Sequence, residues 1–189
     1  MRVIAGQAKG RRLKAPKGRE LRPTGDRVKE ALFNILPHDL SGLKVLDLFA
    51  GTGNLSIEAL SRGAEEAVLV DVSREATQVI EENVRALGLT ARSRVLTAST
   101  FPSVRMLSRK NERFDLIFLD PPYDKELVGE TLKAIAAEGL LAESGVVAAE
   151  HSVREKVQER YGALVLTDRR RYGDTQLSFF ASSSVGTNE

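Results

Sequence analysis

Apolar residues along this chain occur in two patterns that alternate from about residue 43 onwards. Short continuous apolar runs predict strands that are buried on both faces, as in a parallel sheet. Between them, apolar residues recur every three or four positions, which predicts helices. The predicted strands are 44–49, 67–70, 94–97, 114–119, 146–150, 164–170 and 175–181. The predicted helices of this region are 55–62, 74–87, 127–137 and 153–161.

This alternation predicts an α/β fold with a doubly wound, mostly parallel, seven-stranded sheet. Gly88 follows the helix 74–87 and suits a left-handed C-cap. The last two strands flank Tyr172-Gly173-Asp174, a turn signal, so they are expected to form a C-terminal antiparallel hairpin.

The first 40 residues have a different pattern and are predicted to form a small extension. Two short β-prone pieces within 2–14 flank Gly-Gln-Ala-Lys-Gly, which predicts a β-hairpin. A helix is expected from Thr24 or Asp26 to about Leu36, with Lys29 off its apolar face. The expected organisation is an extension at 1–40, a main domain at 41–181 and a disordered tail at 182–189.

Charge is concentrated in the extension. Residues 1–30 contain ten Lys/Arg and three Asp/Glu, a net of +7, whereas the whole chain has a net charge of +2. A basic arm on a mildly acidic body favours a polyanionic partner. The four arginines expected to contact phosphates are Arg11, Arg12, Arg22 and Arg27.

Composition excludes several kinds of chemistry. The chain has no cysteine, which excludes disulfides, a thiolate zinc site and a cysteine nucleophile. The two histidines, His38 and His151, are far apart in sequence, and no metal site is expected. No apolar run approaches the 18 or so residues of a membrane span. A cytoplasmic monomer without a metal is therefore the expectation.

A glycine turn follows the first predicted strand. In the stretch from Asp47 to Gly53, Gly51 and Gly53 lie where the strand turns into a helix. Asp71 comes 20 residues after Gly51, at the end of the next strand, from which an acid can hold ribose hydroxyls. A dinucleotide fingerprint needs a third Gly or Ala where this chain has Ser56. Asp47 beside a helix N-terminus instead suits a cofactor with an amino-acid zwitterion, which points to S-adenosylmethionine.

The fourth strand ends in Asp120-Pro121-Pro122-Tyr123. Proline cannot donate to a sheet ladder, and a residue before proline is pushed toward extended geometry, so the strand ends in a stiff rim. In open α/β sheets ligands bind at the carboxyl ends of the strands. This rim offers a carboxylate, carbonyl groups and an aromatic ring.

The glycine turn and this motif together resemble class I S-adenosylmethionine-dependent methyltransferases that act on exocyclic amines. The block Arg22-Pro23-Thr24 and the helix after it narrow the resemblance to the RsmD family, which methylates a guanine N2 amine in small-subunit ribosomal RNA. The resemblance extends to about Ala181. It implies a Rossmann-like class I methyltransferase fold and a partner that is ribosomal RNA or the assembling small ribosomal subunit.

The resemblance also implies roles for individual residues. S-adenosylmethionine would lie on a set of eight residues: Asp47, Phe49, Gly51, Gly53, Asp71, Val72, Ser99 and Thr100. Ser99 stands where the family usually has an aspartate facing the adenine. The resemblance implies that the catalytic residues are Asp120, Pro121, Pro122 and Tyr123. Asp120 and the Pro121 carbonyl would accept hydrogen bonds from the amine, and Tyr123 would stack on the base.

Two other functions remain open at this point. Asp-Pro-Pro-Tyr alone also admits methylation of an adenine or cytosine amine in DNA or RNA. A non-catalytic RNA-binding module on a methyltransferase fold is the alternative from another class, and Ser99 is its main support.

Overall fold

A computed structural model describes residues 1–15, 23–122 and 126–183. The chain divides into two compact units, Met1–Ser103 and Val104–Glu189. Among the described residues, no helix has the length and apolarity needed to cross a membrane.

The first unit contains a parallel sheet in the order β3-β2-β1 and the helices connecting its strands. The strands β1 and β2 are buried at their centres, as the continuous apolar runs predict, whereas the residues of β3 are partly or fully exposed. Its elements are α1 (Pro23–Ile35), β1 (Lys44–Asp47), α2 (Asn54–Ser61), β2 (Glu66–Asp71), α3 (Arg74–Ala86), a 3-10 turn (Thr90–Arg92) and β3 (Ser93–Thr97).

Helix α4 (Thr100–Arg109) carries the chain from the first unit into the second. In the second unit β4 pairs with β5 in parallel, and β5, β8, β7 and β6 follow in that order with antiparallel pairing. Its elements are β4 (Phe114–Leu119), α5 (Leu127–Glu138), β5 (Leu141–Ser152), β6 (Arg160–Tyr161), β7 (Leu164–Tyr172) and β8 (Thr175–Ser182).

The predicted α/β class with a C-terminal antiparallel hairpin is confirmed, and all seven predicted strands are present. Gly88 has φ +69°, as a left-handed C-cap requires. Helix α4 was not predicted. It is only ten residues long and contains Pro102, and Val104 and Leu107 are its only buried apolar residues.

The predicted helix at 153–161 is wrong, and the described residues contain an eighth strand, β6, at its end. Side-chain contacts hold this segment in a non-helical course. The Tyr161 hydroxyl accepts from the Gln158 N–H at 2.8 Å, and Arg169 Nη2 donates to the Val157 carbonyl at 2.9 Å. The Tyr161 ring also packs edge-on against Phe180, with centroids 5.9 Å apart.

The predicted tail begins too early. Ser182 is the last residue of β8 and pairs with Leu164, and the Ser183 N–H donates to the Ala163 carbonyl at 2.7 Å. The remaining tail, 184–189, lies outside the described residues, as do Arg22 and Tyr123.

The N-terminal arm, defined here as residues 1–15, forms a small hairpin within the first unit. Arg2 and Arg12 form an antiparallel bridge, and Val3 exchanges backbone hydrogen bonds with Gly10 and Arg11. Gly6, at φ +77°, lies so close to α2 that a Cβ atom would fall 1.7 Å from the Ser61 carbonyl oxygen. Only glycine fits there, so the arm is closely packed on the helix.

One buried carboxylate joins the arm to α1 and α2. Glu58 is fully buried, and its two oxygens accept from the backbone N–H groups of Ile4 at 2.7 Å and Ala5 at 2.9 Å. Lys29 Nζ and Arg62 Nε pair with the same carboxylate at 3.2 Å and 3.0 Å. Both oxygens are therefore fully used.

The expectation that Lys29 lies off the buried face of its helix is wrong. Lys29 is only 2% exposed, because its ammonium reaches Glu58 and the Arg2 carbonyl beneath the arm. Burial lowers the pKa of Lys29, while the neighbouring Glu58 carboxylate opposes that shift. A lysine on a helix can be buried when it pairs with a buried carboxylate from another element, and the helical periodicity of the sequence does not reveal such a partner.

Replacing Glu58 should strongly destabilise the protein. Glu58→Ala removes the carboxylate that neutralises two buried cations and accepts from two backbone N–H groups, so we expect the free energy of unfolding to fall by about 3–5 kcal/mol. Urea denaturation followed by circular dichroism measures this change. Glu82→Ala, which removes an exposed partner of Lys14 in the same unit, is the control and should stay near the parent value. Equal stability of the two variants would contradict the role given to Glu58.

Candidate active site

The glycine turn connects β1 to α2 in the geometry that its residues predict. Gly51 and Gly53 have φ values of +56° and +76°, which glycine adopts without strain. Gly53 is the N-cap of α2, and since glycine has no side chain, the helix begins without a side-chain cap. An uncapped helix N-terminus is a favourable place for an anionic group such as a carboxylate.

Asp71 ties this turn to the end of β2. One carboxylate oxygen accepts from the Gly51 N–H at 2.8 Å, and the other accepts from the Ser73 N–H at 2.8 Å. Each oxygen keeps acceptor capacity for a further donor, because a carboxylate oxygen can accept two hydrogen bonds. Asp71 is partly exposed, so ligand hydroxyls can reach it.

Asp47 is a buried carboxylate at the end of β1. It is 1% exposed and accepts from the Ser56 hydroxyl at 3.1 Å and from the Phe49 N–H at 3.4 Å. Burial raises the pKa of Asp47 to about 7, and the hydrogen bonds from Ser56 and Phe49 offset only part of that effect. A nearby cation would restore the charged form, so this group is suited to an ammonium ligand.

Ser56 is a residue whose role sequence reasoning missed. In the sequence it shows only that the third fingerprint glycine is absent, whereas in the structure its hydroxyl donates to Asp47 from the first turn of α2. The available signal was a polar residue on the buried side of a short apolar helix. Such a residue needs a buried partner.

The other residues assigned to the cofactor lie at the ends of β2 and β3. Val72 is 73% exposed, which is unusual for a large apolar side chain. Ser99 is exposed, and its carbonyl accepts from Ser103 at the start of α4. The Thr100 hydroxyl donates to the Leu48 carbonyl at 3.2 Å, which ties the start of α4 to the end of β1.

In the second unit, β4 ends at Leu119, immediately before the proline motif. Asp120 and Pro122 are exposed, whereas Pro121 is buried. Tyr123 lies outside the described residues. The assignment of catalysis to these four residues therefore stays a prediction.

The arginines assigned to phosphates differ in their surroundings. Arg11, Arg12 and Arg27 are exposed, and Arg22 lies outside the described residues. Arg11 donates through Nη2 to the Ala86 carbonyl at 3.0 Å, at the C-terminus of α3. One of its donors is thus already used, and Arg12 is a clearer candidate for a phosphate contact.

Neither histidine forms part of this site. His38 is exposed, and His151 is 1% exposed between Ser152 and Ser178. Since the Ser152 carbonyl can only accept, Nδ1 of His151 carries the hydrogen and Nε2 accepts from the Ser178 hydroxyl. Burial lowers the pKa of His151, consistent with a neutral structural residue. No group of three acidic, histidine or cysteine side chains within the described ranges could hold a metal ion.

The chain is similar to known proteins over most of its length. The chain matches the family model described as "Conserved hypothetical protein 95" over residues 1–181. It is 39% identical to YlbH of Bacillus subtilis (strain 168) over 180 residues, covering 95% of this chain and 98% of YlbH. It is 36% identical over 153 residues to "Ribosomal RNA small subunit methyltransferase D" of Escherichia coli (strain K12), covering 81% and 75% of the two chains.

A solved structure shows the same fold. The Escherichia coli protein yhhF superposes with a TM-score of 0.85 at 31% identity, covering 97% of this chain and 98% of yhhF. The Rossmann-like class I methyltransferase fold and the family resemblance expected from the sequence are thereby confirmed. The chain belongs to the RsmD family.

Proposed function

We propose that this protein transfers a methyl group from S-adenosylmethionine to the exocyclic N2 amine of a guanine in small-subunit ribosomal RNA. Membership of the RsmD family supports an rRNA methyltransferase, since relatives are named for that activity. The observation that carries the proposal is the buried Asp47 beside the glycine turn. We propose a cytoplasmic location, because ribosomal subunits assemble there.

Polar groups of the first unit support this proposal, because they suit the separate parts of the cofactor. The cofactor's amino-acid part is a zwitterion, and the unit offers Asp47 for its ammonium and the N-terminus of α2 for its carboxylate. Asp71 keeps acceptor capacity for ribose hydroxyls, and exposed Val72 offers an apolar surface for the adenine. Phe49, Ser99 and Thr100 complete the proposed set. When bound, the cofactor supplies a methyl group activated by a sulfonium.

Asp120 and the Pro121 carbonyl are proposed to act on the guanine amine. The lone pair of this amine is delocalised into the ring, so acceptors for its N–H groups are needed to direct that lone pair toward the methyl group. A carboxylate and a fixed carbonyl dipole also stabilise the positive charge that develops on nitrogen. Pro122 keeps the backbone extended, and Tyr123 would stack on the base once it leaves its neighbours.

Removing the Asp120 carboxylate should abolish most methyl transfer without weakening cofactor binding. We expect Asp120→Ala to lower the turnover number by about 10²–10³-fold, the effect typical of losing one electrostatic contact to a transition state. Incorporation of labelled methyl groups into small-subunit RNA measures turnover, and isothermal titration measures cofactor affinity. Asp120→Asn keeps an acceptor but not the charge, so its turnover number should lie between those of the parent protein and Asp120→Ala. Parent-like turnover by Asp120→Ala would refute the assignment.

The pKa of Asp47 predicts how cofactor affinity depends on pH. The ammonium binds the ionised carboxylate, and in the free protein that form is lost as the pH falls through about 7. Affinity for S-adenosylmethionine should therefore decrease between pH 8 and pH 6, by up to about tenfold per unit below pH 7. Titration calorimetry at several pH values tests this, with Asp47→Asn as the comparison. Asp47→Asn should bind S-adenosylmethionine weakly, with an affinity that does not change with pH. A pH dependence as steep as that of the parent protein would exclude Asp47 as the titrating group.

The arm should contribute to RNA binding through phosphate contacts. Removing the Arg12 charge by Arg12→Ala should weaken binding to small-subunit RNA and reduce the salt slope of log K by about one. Filter binding at a series of salt concentrations provides the slope. Arg109→Ala removes an exposed positive charge at the end of α4 and should keep the parent slope. An unchanged slope for Arg12→Ala would exclude Arg12 from the interface.

The same assays distinguish the two other functions. Methylation of DNA or of an adenine or cytosine amine would be identified by the mass of the modified nucleoside. A non-catalytic RNA-binding module would bind RNA without binding S-adenosylmethionine.

A further inference from the structure

The side chain of Asn83 joins the arm to the glycine turn. Asn83 lies on α3, is 3% exposed and uses all the atoms of its amide. Its Oδ1 accepts from the Lys14 N–H at 2.9 Å, while Nδ2 donates to the carbonyls of Lys14 and Thr52, both at 3.1 Å. Because the amide group faces two acceptors on one side and a donor on the other, only one orientation satisfies it.

Lys29 makes a second bridge between the same two segments. Its ammonium donates to the Arg2 carbonyl at 2.6 Å and to Asn54 Oδ1 at 2.8 Å. Arg2 belongs to the arm, and Asn54 is the first residue of α2, directly after Gly53. The Thr52 hydroxyl also reaches the Met1 sulfur at 3.5 Å. Thr52 of the turn and Asn54 at the start of α2 are therefore both linked to the arm.

We propose that Asn83 is a positioning residue through which RNA on the arm and S-adenosylmethionine on the glycine turn strengthen each other's binding. The inference rests on the function proposed above. It adds that the arm helps to order the cofactor site as well as to contact RNA.

The sign of this coupling follows from the geometry. The hydrogen bond from Asn83 to Thr52 and the bridge from Lys29 to Asn54 depend on a docked arm. RNA that binds the docked arm favours that state, so the turn loses less conformational freedom when the cofactor binds. Coupling between two binding equilibria is reciprocal, so the cofactor must strengthen RNA binding by the same factor.

The test measures cofactor affinity with and without RNA. Equilibrium dialysis with labelled S-adenosylmethionine gives the dissociation constant in the absence and presence of saturating, unmodified small-subunit ribosomal RNA. For the parent protein we expect RNA to lower this constant about fivefold or more. The measurement uses an Asp120→Ala background, in which turnover should be slowed about 10²–10³-fold.

Asn83→Asp is the variant that tests the bridge. It preserves the shape of the side chain but replaces its NH₂ group with an oxygen that faces two carbonyls. We expect the ratio of the cofactor dissociation constants without and with RNA to fall to nearly one. When Asn83→Asp is made in the protein that keeps Asp120, KM for the cofactor should rise with little change in kcat at saturation. A residue that only supported the fold would lower the active fraction and kcat without changing the RNA effect. Asn83→Ser, which removes the contacts without adding repulsion, replaces it if the aspartate variant does not fold.

Glu82→Gln is the matched control. Glu82 is the neighbouring residue on α3 and pairs with the side chain of Lys14 at 2.8 Å, but it has no bond to Thr52 among the contacts described for it. In the Glu82→Gln variant, RNA should lower the cofactor dissociation constant by the same factor as in the parent protein. Hydrogen exchange in the unmodified parent protein gives a second measurement, and the amides of residues 51–54 should exchange more slowly when RNA is bound.

The outcomes separate the two proposals. A parent protein that does not bind S-adenosylmethionine would refute the proposed function and this inference together. A parent protein that binds it with no effect of RNA would refute the inference alone. The inference alone would also be refuted if Asn83→Asp kept the full effect of RNA on cofactor affinity. It would likewise be refuted if RNA did not slow amide hydrogen exchange at residues 51–54.

Discussion

The buried carboxylate of Glu58 is the constraint on which the architecture of the first unit depends. A buried carboxylate is strongly destabilising unless donors surround it, and here two backbone N–H groups, an ammonium and a guanidinium do so. Those donors come from the arm, α1 and α2. The Arg62 guanidinium also lies over the Phe33 ring at 4.7 Å, so the cation is packed as well as paired. These contacts anchor residues Ile4 and Ala5 of the arm to α1 and α2.

The position of α2 determines the geometry of the candidate cofactor site. Its first turn carries Ser56, which holds Asp47, and its N-cap is Gly53 of the glycine turn. A rotation of the helix would move the hydroxyl away from a carboxylate that burial already makes difficult to ionise. The residues around Glu58 on one side of α2 and those around Asp47 on the other therefore form a connected system. A carboxylate whose pKa is raised by burial is a group that a cationic ligand can stabilise.

Residues with a strong local signal could be predicted from the sequence. Gly51 and Gly53 indicate a turn with positive φ angles, and the 20-residue separation from Gly51 predicts the position of Asp71 at the end of the next strand. The apolar runs predict seven strands. Residues whose position depends on distant partners could not be predicted. Lys29 looks like a solvent-facing lysine until Glu58, 29 residues later, is placed beside it. The segment 153–159 has a helical pattern, but contacts to Tyr161 and Arg169 hold it in another course. Ser56 and Asn83 matter through hydrogen bonds to residues that periodicity cannot locate.

The charge of the arm region also has a different meaning in the folded protein. A net of +7 over residues 1–30 suggests a wide cationic surface, but several of those charges are already engaged. Lys29 is buried against Glu58, Lys14 pairs with Glu82, and Arg11 contacts a helix C-terminus. Among the described residues, Arg2, Lys9, Arg12 and Arg27 are exposed and have no ion pair described for them. Fewer cations are therefore available to a polyanion than the count implies, and part of the positive charge instead links the arm and α1 to α2 and α3. A basic segment can serve the fold and the partner at once, and only the contacts of each residue distinguish the two roles.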